Sequence, residues 1–392
     1  MDRPAPDEIS DEHRFPCPQC GADLRFSPDA GELVCDHCGH RETVTEGRRG
    51  HQPIPELDFR RAIEQRLPEA EIETARFSRC PNCGAEVEFD PTVHATECPF
   101  CATPVVADTG TSRHIKPRGL APFALSESEA RDAMTKWLGS LWFAPSGLTD
   151  YARKGRAMTG VYVPFWTFDA DTKSAYAGQR GTIYYVTEQV RVRDAQGHVR
   201  TEMRQVPRIR WTPVSGRVAR FFDDVLVLAS RSLPKAHTDA LMPWDLTRLE
   251  PYQPQFLAGF RAEGYTVGLE DGMTEARAHM DRMIERDVRF DIGGDRQQVD
   301  RIDTQISDVT FKHILLPVWT AAYRFRSRSY RFVVNGQTGK VQGERPWSAV
   351  KLTIAAILLA IAVAAAIWVG QQQQDGGNWQ IDFGGSQIDL GQ

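Results

Sequence analysis

The sequence predicts an α+β protein with two small cysteine-rich modules at its N-terminus, a mixed β-rich domain in its middle and one apolar helix near its C-terminus. Three observations lead to this fold class. Eight cysteines fall in four CxxC pairs, the middle of the chain has strand-like runs of β-branched and aromatic residues, and 352–369 carries no charge. The length of 392 residues leaves room for two or three domains.

The cysteines form two sets with the same spacing, C-x2-C-x14-C-x2-C. A CxxC turn points two sulfurs at one position, and two such turns joined by a hairpin complete a tetrahedral S4 site suited to Zn²⁺. The sets predict zinc ribbons over 13–42 and 78–105, each holding one structural zinc ion. The predicted ligands are Cys17, Cys20, Cys35, Cys38, Cys80, Cys83, Cys98 and Cys101.

Three alternatives use the same cysteines. Four disulfides need an oxidising compartment, and the acidic N-terminus lacks the apolar core of a secretory signal. A redox dithiol of the thioredoxin type is a single CxxC pair in a βαβ unit, whereas these pairs come doubled. Four thiolates also hold iron–sulfur clusters, so iron stays as an alternative to zinc.

Glycines follow three of the four CxxC pairs. Gly21, Gly39 and Gly84 occupy positions where a positive φ is often needed, and Ala102 breaks the pattern at the fourth pair. Each ribbon is too small to fold on apolar burial alone. Metal binding is therefore expected to supply about 10 kcal/mol or more of its folding free energy.

The formal net charge of −5 hides a strong asymmetry along the chain. Residues 1–105 carry 11 Arg, no Lys and 21 Asp or Glu, which gives −10, whereas 106–351 carry +8. Because affinity for nucleic acid comes mainly from neutralising phosphates, the acidic ribbons are poor candidates for binding it. A protein partner of unknown identity is the expectation for them.

The apolar run over 352–369 predicts a transmembrane helix. As a helix it is about 27 Å long, close to the hydrocarbon thickness of a bilayer; a buried core helix is the alternative. Lys340, Arg345 and Lys351 precede the run, and only acidic charges follow it. Because basic flanks stay in the cytoplasm, we expect a single-pass cell-membrane protein with cytoplasmic N-terminal domains and a short tail, 370–392, outside. Alanines spaced four apart in the span suit a homo-oligomer.

Between the ribbons, 43–77 reads as a linker with one short helix over Glu56–Leu67. The β-rich α+β domain covers 115–345. A capping box at Ser126 and Glu129 opens one predicted helix, and a second spans Thr274–Arg286. The predicted strands are Val161–Phe168, Gly181–Val192, Val206–Trp211, Val225–Ala229, Phe311–Phe325 and Ser329–Val334, with a turn over Asn335–Lys340.

Two further patterns lie within this domain. Val163–Thr167 resembles Leu316–Thr320, which indicates either an internal duplication or a chance recurrence of Pro-x-Trp-Thr. Arg324, Arg326 and Arg328 alternate along a predicted strand and so share one face. That row is either a solvated face or a contact with the anionic head groups of the inner leaflet.

No catalytic residue is predicted. The sequence has no HExxH, GxSxG, Walker A or Rossmann fingerprint. His37, His40 and His94 lie near the cysteine sets and are expected on the ribbon surface, because each site already has four sulfurs. The sequence therefore predicts a protein that is not an enzyme. An unfamiliar site in 115–345 stays as an alternative that a deep pocket with converging polar residues would support.

Together these motifs resemble the bacterial membrane-anchored tandem zinc-ribbon proteins, whose ribbons are similar to that of transcription factor IIB and which are often labelled after primosomal protein N′ (replication factor Y). The helicase label does not transfer, because its ATPase motifs are absent. The resemblance implies a membrane-tethered adaptor or scaffold; the alternative is a membrane-anchored nucleic-acid-binding protein. The motifs that carry it are Cys17–Gly21 with Cys35 and Cys38, Cys80–Gly84 with Cys98 and Cys101, Val161–Trp166, and Val334–Val341 leading to Gly343–Pro346.

Overall fold

The structure is a computed structural model. It describes residues 15–44, 54–75, 77–88, 95–101, 103–106, 112–143, 158–193, 199–325, 328–344 and 347–375. The chain divides into two compact units. The first contains 1–134 and 156–343, and the second contains 135–155 and 344–392.

Both cysteine sets fold around short antiparallel strands. The first set encloses a three-stranded sheet in the order β1-β2-β3, and the second is built on two pairs, β6 with β7 and β8 with β9. The strands are β1 Arg25–Ser27, β2 Glu32–Val34, β3 Arg41–Thr43, β6 Phe77–Arg79, β7 Glu86–Glu88, β8 Ala95–Glu97 and β9 Pro104–Val106.

The linker between the ribbons contains less helix than predicted. The helix α1 covers only Phe59–Ile63, because Asp58 caps it by accepting the backbone N–H of Arg61 at 2.7 Å. Residues Leu57–Asp58 form the strand β4 instead, which joins the main sheet. The rest of the connection is a short 3₁₀ turn, Glu69–Glu71, and two paired strands, β5 Ile72–Ala75 and β10 Ser112–Ile115.

The main sheet has eleven strands, three of them 30 residues or longer. Its path is β14-β11-β16-β12-β15-β7-β6, with β13 paired to β12 and β17 to β16. The remaining elements are β11 Gly119–Leu120, α2 Glu127–Ser140, β12 Thr159–Arg193, β13 Val199–Leu228, α3 Lys235–Asp239, β14 Glu250–Pro251, β15 Arg261–Gly264, α4 Leu269–Ile292, β16 Arg296–Phe325, β17 Arg328–Asn335 and β18 Val341–Gly343.

The predicted strands were too short. Two of them, Val161–Phe168 and Gly181–Val192, are parts of the single strand β12, and the prediction missed the segment between them. That segment includes Lys173 and Ser174 and has polar or small residues at most positions. Strand pairing with β13 and β16 on both sides holds it extended in spite of its composition.

Both faces of the sheet are covered at the centre of β12, where Val161–Ala170 form a continuous buried run. Successive side chains of a strand point to opposite faces. Val161, Val163 and Phe165 pack into one core cluster, whereas Trp166 and Phe168 pack into another beneath α4. A run buried on both faces is the signature of a strand between two layers.

The helix α4 supplies one of those layers and is longer than the predicted Thr274–Arg286. Its N-cap is Gly268, and it ends at Gly293 with a φ of 65°. Spacing by four residues places one apolar stripe against the sheet. The stripe consists of Ala276, Met280, Ile284, Val288 and Ile292, all buried.

The predicted capping box and turn are confirmed. Ser126 donates to Glu129 Oε2 at 2.9 Å from both its backbone N–H and its hydroxyl, which fixes the first turn of α2. The predicted turn after Asn335 joins β17 to β18, and the Asn335 side-chain oxygen accepts the backbone N–H of Gln337 at 2.8 Å.

The repeated Pro-x-Trp-Thr segments lie side by side in the sheet. Val163 and Leu316, which begin them, are directly opposite each other in the antiparallel pair β12–β16, so a local pseudo-twofold axis passes between them. Each repeat has the order short strand, helix, long strand and hairpin strand, and their registers correspond. The equivalent pairs are Val161 with Arg261 and Ile314 with Gly119, then Phe165 with Leu228 and Val318 with Asn335. This agreement favours duplication over chance.

The second unit contains the helix α5, Ala349–Asp375. Its first 20 residues, Ala349–Trp368, have a mean hydropathy of 2.5 and none is buried, so this helix is long and apolar enough to cross a membrane. The predicted arginine row and the tail from 376 onward lie outside the residues whose side chains the structure describes.

Candidate metal centres

The eight cysteines gather into two groups of four, as the spacing predicts. In each group the four Sγ atoms lie within 4.8 Å of one another. The first group contains Cys17, Cys20, Cys35 and Cys38, with Sγ–Sγ distances of 3.5 Å for Cys17–Cys38 and for Cys20–Cys35. The second contains Cys80, Cys83, Cys98 and Cys101, with 3.5 Å for Cys80–Cys101 and 3.6 Å for Cys83–Cys98.

These distances fit two structural zinc ions. Four sulfurs at about 2.3 Å from a tetrahedral zinc ion lie about 3.8 Å from one another. A disulfide would need an S–S distance of about 2.05 Å, and all eight cysteines are free. A site closed by four protein ligands leaves no position for substrate, so the metal holds the ribbon together.

The local backbone explains why each CxxC pair presents two sulfurs together. The chain reverses tightly at each of the first three pairs: the N–H of the following glycine donates to the carbonyl of the first cysteine at 2.8–2.9 Å. Gly21, Gly39 and Gly84 have φ values of 76°, 76° and 75°, so the predicted need for glycine at these positions is confirmed. Ala102 lies outside the described residues.

Each group favours one thiolate before metal arrives. The backbone N–H of Cys38 lowers the pKa of Cys35 to about 6, and the thiol of Cys98 lowers the pKa of Cys83 to about 5 by hydrogen bonding to its sulfur. Hydrogen bonding to a thiolate favours the charged form. Metal binding displaces the remaining thiol protons, so loading of both sites is expected to strengthen as pH rises.

The first ribbon is peripheral. It touches the domain mainly through β1, where Phe26 is buried, stacks edge-on against Phe256 at 5.2 Å and donates its backbone N–H to the carbonyl of Ala258 at 3.0 Å. Its outer CxxC sulfurs are open to solvent, with Cys20 and Cys38 both exposed. His37 is exposed and His40 half-buried, as expected of the ribbon surface, and His94 lies outside the described residues.

The second ribbon is part of the domain core. Cys80, Cys98 and Phe100 belong to the same buried cluster as Val163 and Leu316 on the central strands. The ribbon therefore covers the face of the sheet opposite α4. Its strand β7 also adds to the sheet edge beside β15.

Hydrogen bonds also tie the second ribbon to the domain. The Thr320 hydroxyl donates to the carbonyl of Pro99 at 3.0 Å, and the Arg261 guanidinium donates to the carbonyl of Glu97 at 2.9 Å.

A buried carboxyl beside the second site was missed by the sequence reasoning. Glu263 is 2% exposed, and its Oε1 accepts a hydrogen bond from the Ser230 hydroxyl at 2.7 Å. Burial raises the pKa of Glu263 to about 8, and the nearby charges of Cys83 and Glu86 raise it further. The acid is therefore largely neutral at pH 7, which reduces its repulsion with the thiolate site. Glu263 carries no motif, so only its position in β15 identifies it.

Comparison with known proteins identifies the first ribbon. Residues 11–43 match the family described as the zinc-finger of RNA-polymerase I-specific TFIIB, Rrn7. The uncharacterized protein YdjG of Bacillus subtilis (strain 168) is 26% identical over 336 residues, which is 85% of this chain and 90% of that protein. No solved structure matches the chain significantly. The chain is a zinc-binding protein with a ribbon of the transcription factor IIB type.

Proposed function

We propose that the chain is a membrane-tethered adaptor, or scaffold, whose zinc ribbons recruit a protein partner to the cytoplasmic face of the cell membrane. The observation that carries the proposal is the bare apolar surface of α5. None of Ala349–Trp368 is buried. A helix in water would leave this surface exposed, whereas in a bilayer it is solvated by lipid.

The charges on either side of α5 set the proposed orientation. Lys340, Arg345 and Lys351 come before the helix, and Asp375, Asp382 and Asp389 come after it. Basic flanks are retained in the cytoplasm. The ribbons then lie in the reducing compartment, where thiolates stay available for zinc.

The first ribbon is the better candidate for recruitment. The second ribbon uses its buried cysteines and Phe100 to cover the sheet, whereas the first leaves both outer CxxC sulfurs, Cys20 and Cys38, at the surface. The acidic charge of 1–105 favours a protein partner with a basic patch.

Anchoring and orientation are tested together in intact cells. The full chain should stay in the membrane fraction after alkaline carbonate washing, whereas a chain ending at 348 should be released. A Ser386→Cys variant should react with an impermeant thiol reagent added outside, and a Ser10→Cys variant should react only after permeabilisation. Release of the full chain, or the opposite labelling pattern, contradicts the proposal.

Recruitment is tested by crosslinking in native membranes followed by mass spectrometry. A specific protein recovered with the wild type should be lost with Cys20→Ser, Cys38→Ser. That variant must keep one zinc ion per chain and the unfolding temperature of the domain, so that the loss is attributed to the first ribbon. Equal recovery by both proteins would remove the ribbon from the mechanism.

Membrane-anchored nucleic-acid binding is the second candidate, and the family match of 11–43 favours it. Phosphate binding would depend on the basic middle region, because the ribbons carry −10 over 1–105. Titration of the detergent-purified chain into labelled duplex DNA and single-stranded RNA should then give affinity that falls steeply with salt. A flat titration at low salt rejects this candidate.

A further inference from the structure

A two-stranded arm extends beyond the body of the main sheet. The strand β16 begins at Arg296, opposite Gly181, so β12 continues past that point with β13 as its partner. The arm consists of Thr182–Arg193 and Val199–Arg210 and is roughly 40 Å long at about 3.3 Å per residue. A two-stranded ribbon is marginally stable on its own in water, so what completes this arm is a physical question.

The charged face of the arm satisfies itself. Arg208 forms an ion pair with Glu188 at 2.6 Å, which joins the two strands. The guanidinium of Arg210 lies over the ring of Tyr184, 5.1 Å from its centroid. Arg200 lies 3.3 Å from Glu202 on the same strand. With its arginines already paired, this face has little free charge to offer phosphates.

The opposite face is uncharged and bare. Tyr185 is 65% exposed and Met203 64%, and Ile209 is also exposed. From Ile183 to Gln189 on one strand and from Met203 to Ile209 on the other, every side chain on this face is neutral, because the charged residues occupy the alternate positions. Exposed apolar side chains grouped in this way mark an interaction surface.

One edge of the arm has open backbone groups, and Pro207 shows which. Proline has no N–H, so Pro207 must sit at a non-hydrogen-bonded position opposite its partner Tyr185. The N–H and C=O of Tyr185 therefore point away from β13. The backbone N–H of Ile183, two residues earlier, points the same way and donates to Asp295 Oδ2 at 2.7 Å.

Beyond Ile183 this edge has no strand beside it among the described residues. By the same alternation Thr187 and Gln189 also present their N–H and C=O groups to the open edge.

The other edge of the arm is protected against pairing. On β13, Pro207 and Pro213 both occupy outward positions, where a neighbouring strand would need an N–H donor. Prolines at such positions are a common defence of edge strands, and the open edge of β12 has none. The contrast between the two edges indicates that only one of them is built to receive a strand.

A strand of the same kind already fills the inner part of that edge. From Thr159 to Gly181, β12 pairs antiparallel with β16, the equivalent strand of the second repeat, about the pseudo-twofold axis at Val163 and Leu316. The outer part continues the same edge. Antiparallel pairing with a second copy of β12 across a twofold axis would keep both neutral faces on one side of a four-stranded sheet, because such an axis does not turn a sheet over.

We propose that the chain forms a homodimer in which the open edge of β12, over Tyr185–Gln189, pairs antiparallel with the same edge of a second copy. The joined arms form one four-stranded sheet. Its neutral face carries Tyr185, Met203 and Ile209 from both chains, and its charged face keeps the ion pairs within each chain. The proposal does not depend on the membrane anchor or on recruitment by the ribbons.

Two matched proline substitutions test this edge. Thr187 and Gln205 lie directly opposite each other on the same face of the arm, and neither N–H takes part in the pairing of β12 with β13. Thr187→Pro removes a donor from the open edge, whereas Gln205→Pro removes one from the protected edge. The full chains are purified in detergent, and their protein mass is measured by light scattering over a range of concentrations. Zinc content and circular dichroism establish that both variants fold.

The wild type and Gln205→Pro are expected to be dimers, and Thr187→Pro is expected to dissociate at a concentration at least about tenfold higher, because the change acts in both copies at once. Hydrogen exchange of the wild type should show the amides of Thr187 and Gln189 becoming protected as concentration rises. A monomeric wild type overturns the proposal. So does a Thr187→Pro dimer as stable as that of Gln205→Pro, which would place self-association elsewhere, for example in the span.

Discussion

Gly272 lies so close to Trp166 that a β-carbon built on it would stand 2.7 Å from Trp166 Cδ1. The indole is fully buried beneath α4, and its Nε1 donates to the carbonyl of Val267 at 2.9 Å. Neither the ring nor the first turn of the helix is free to move away. The absence of a side chain at residue 272 is what lets the helix rest on the central strand.

Gly272→Ala is therefore expected to destabilise the protein by about 1–3 kcal/mol, although alanine is the better helix former. The matched control is Gly139→Ala in α2, where a β-carbon meets nothing within 4 Å. That change should be neutral or stabilise by up to about 1 kcal/mol. Urea unfolding of both variants measures the contrast, and equal effects would contradict the close packing.

The two zinc sites are expected to differ in their effect on stability. Cys80→Ser should lower the unfolding temperature of the main domain by about 10 °C or more, because its site shares a core cluster with Val163 and Leu316. Cys17→Ser, at the equivalent position of the peripheral ribbon, should leave that transition nearly unchanged. Calorimetry with zinc analysis tests this; each variant should retain one zinc ion, and equal shifts would argue against the different packing of the two ribbons.

A pH effect is expected from Asp169. Lys312 Nζ lies 2.8 Å from Glu56 Oε1 and from Asp224 Oδ1, while Asp169 accepts the backbone N–H of Asp224 at 2.8 Å. Burial, followed by a hydrogen bond with Glu56, raises the pKa of Asp169 to about 7. A carboxyl whose folded pKa is raised stabilises the fold at low pH, and this contribution is lost as pH rises from about 4 to about 7.

Asp169→Asn keeps the accepting oxygen and removes the titration. The unfolding temperature of the wild type should therefore fall relative to this variant between pH 5 and pH 8. Zinc loss at low pH affects both proteins and cancels in the difference. Asp171→Asn, an exposed neighbour on the same strand, should follow the wild type. A difference that stays constant with pH would show that Asp169 is not protonated in the fold.

Phe26→Ala should detach the first ribbon without unfolding the domain. The ring packs against Phe256 and Phe260, and removing a buried phenylalanine costs about 3–5 kcal/mol. Hydrogen exchange in β1 should accelerate, while exchange in β12 stays slow. Phe290→Ala is the control, because that ring is 89% exposed on α4. Slow exchange in β1 of the Phe26 variant would mean that other contacts hold the ribbon.

The features that the sequence predicts correctly are those that depend on neighbouring residues. The CxxC pairs and their glycines are local turns, the box of Ser126 and Glu129 is one helical turn, and the apolar helix is a single run. The length of β12 is not predicted, because residues such as Lys173 and Ser174 are held in a strand by their partners. The merging of the second ribbon with the core is not predicted either. Phe100 is an ordinary ribbon residue until the distant Leu316 is placed beside it.

The second ribbon's place over the sheet links metal supply to the fate of the whole molecule. A chain made during zinc starvation lacks the cover of one sheet face, so it presents the side chains of two central strands to water. Proteases and chaperones act on such surfaces. The amount of this protein in a cell is therefore expected to follow the availability of zinc, even though neither ion takes part in any reaction.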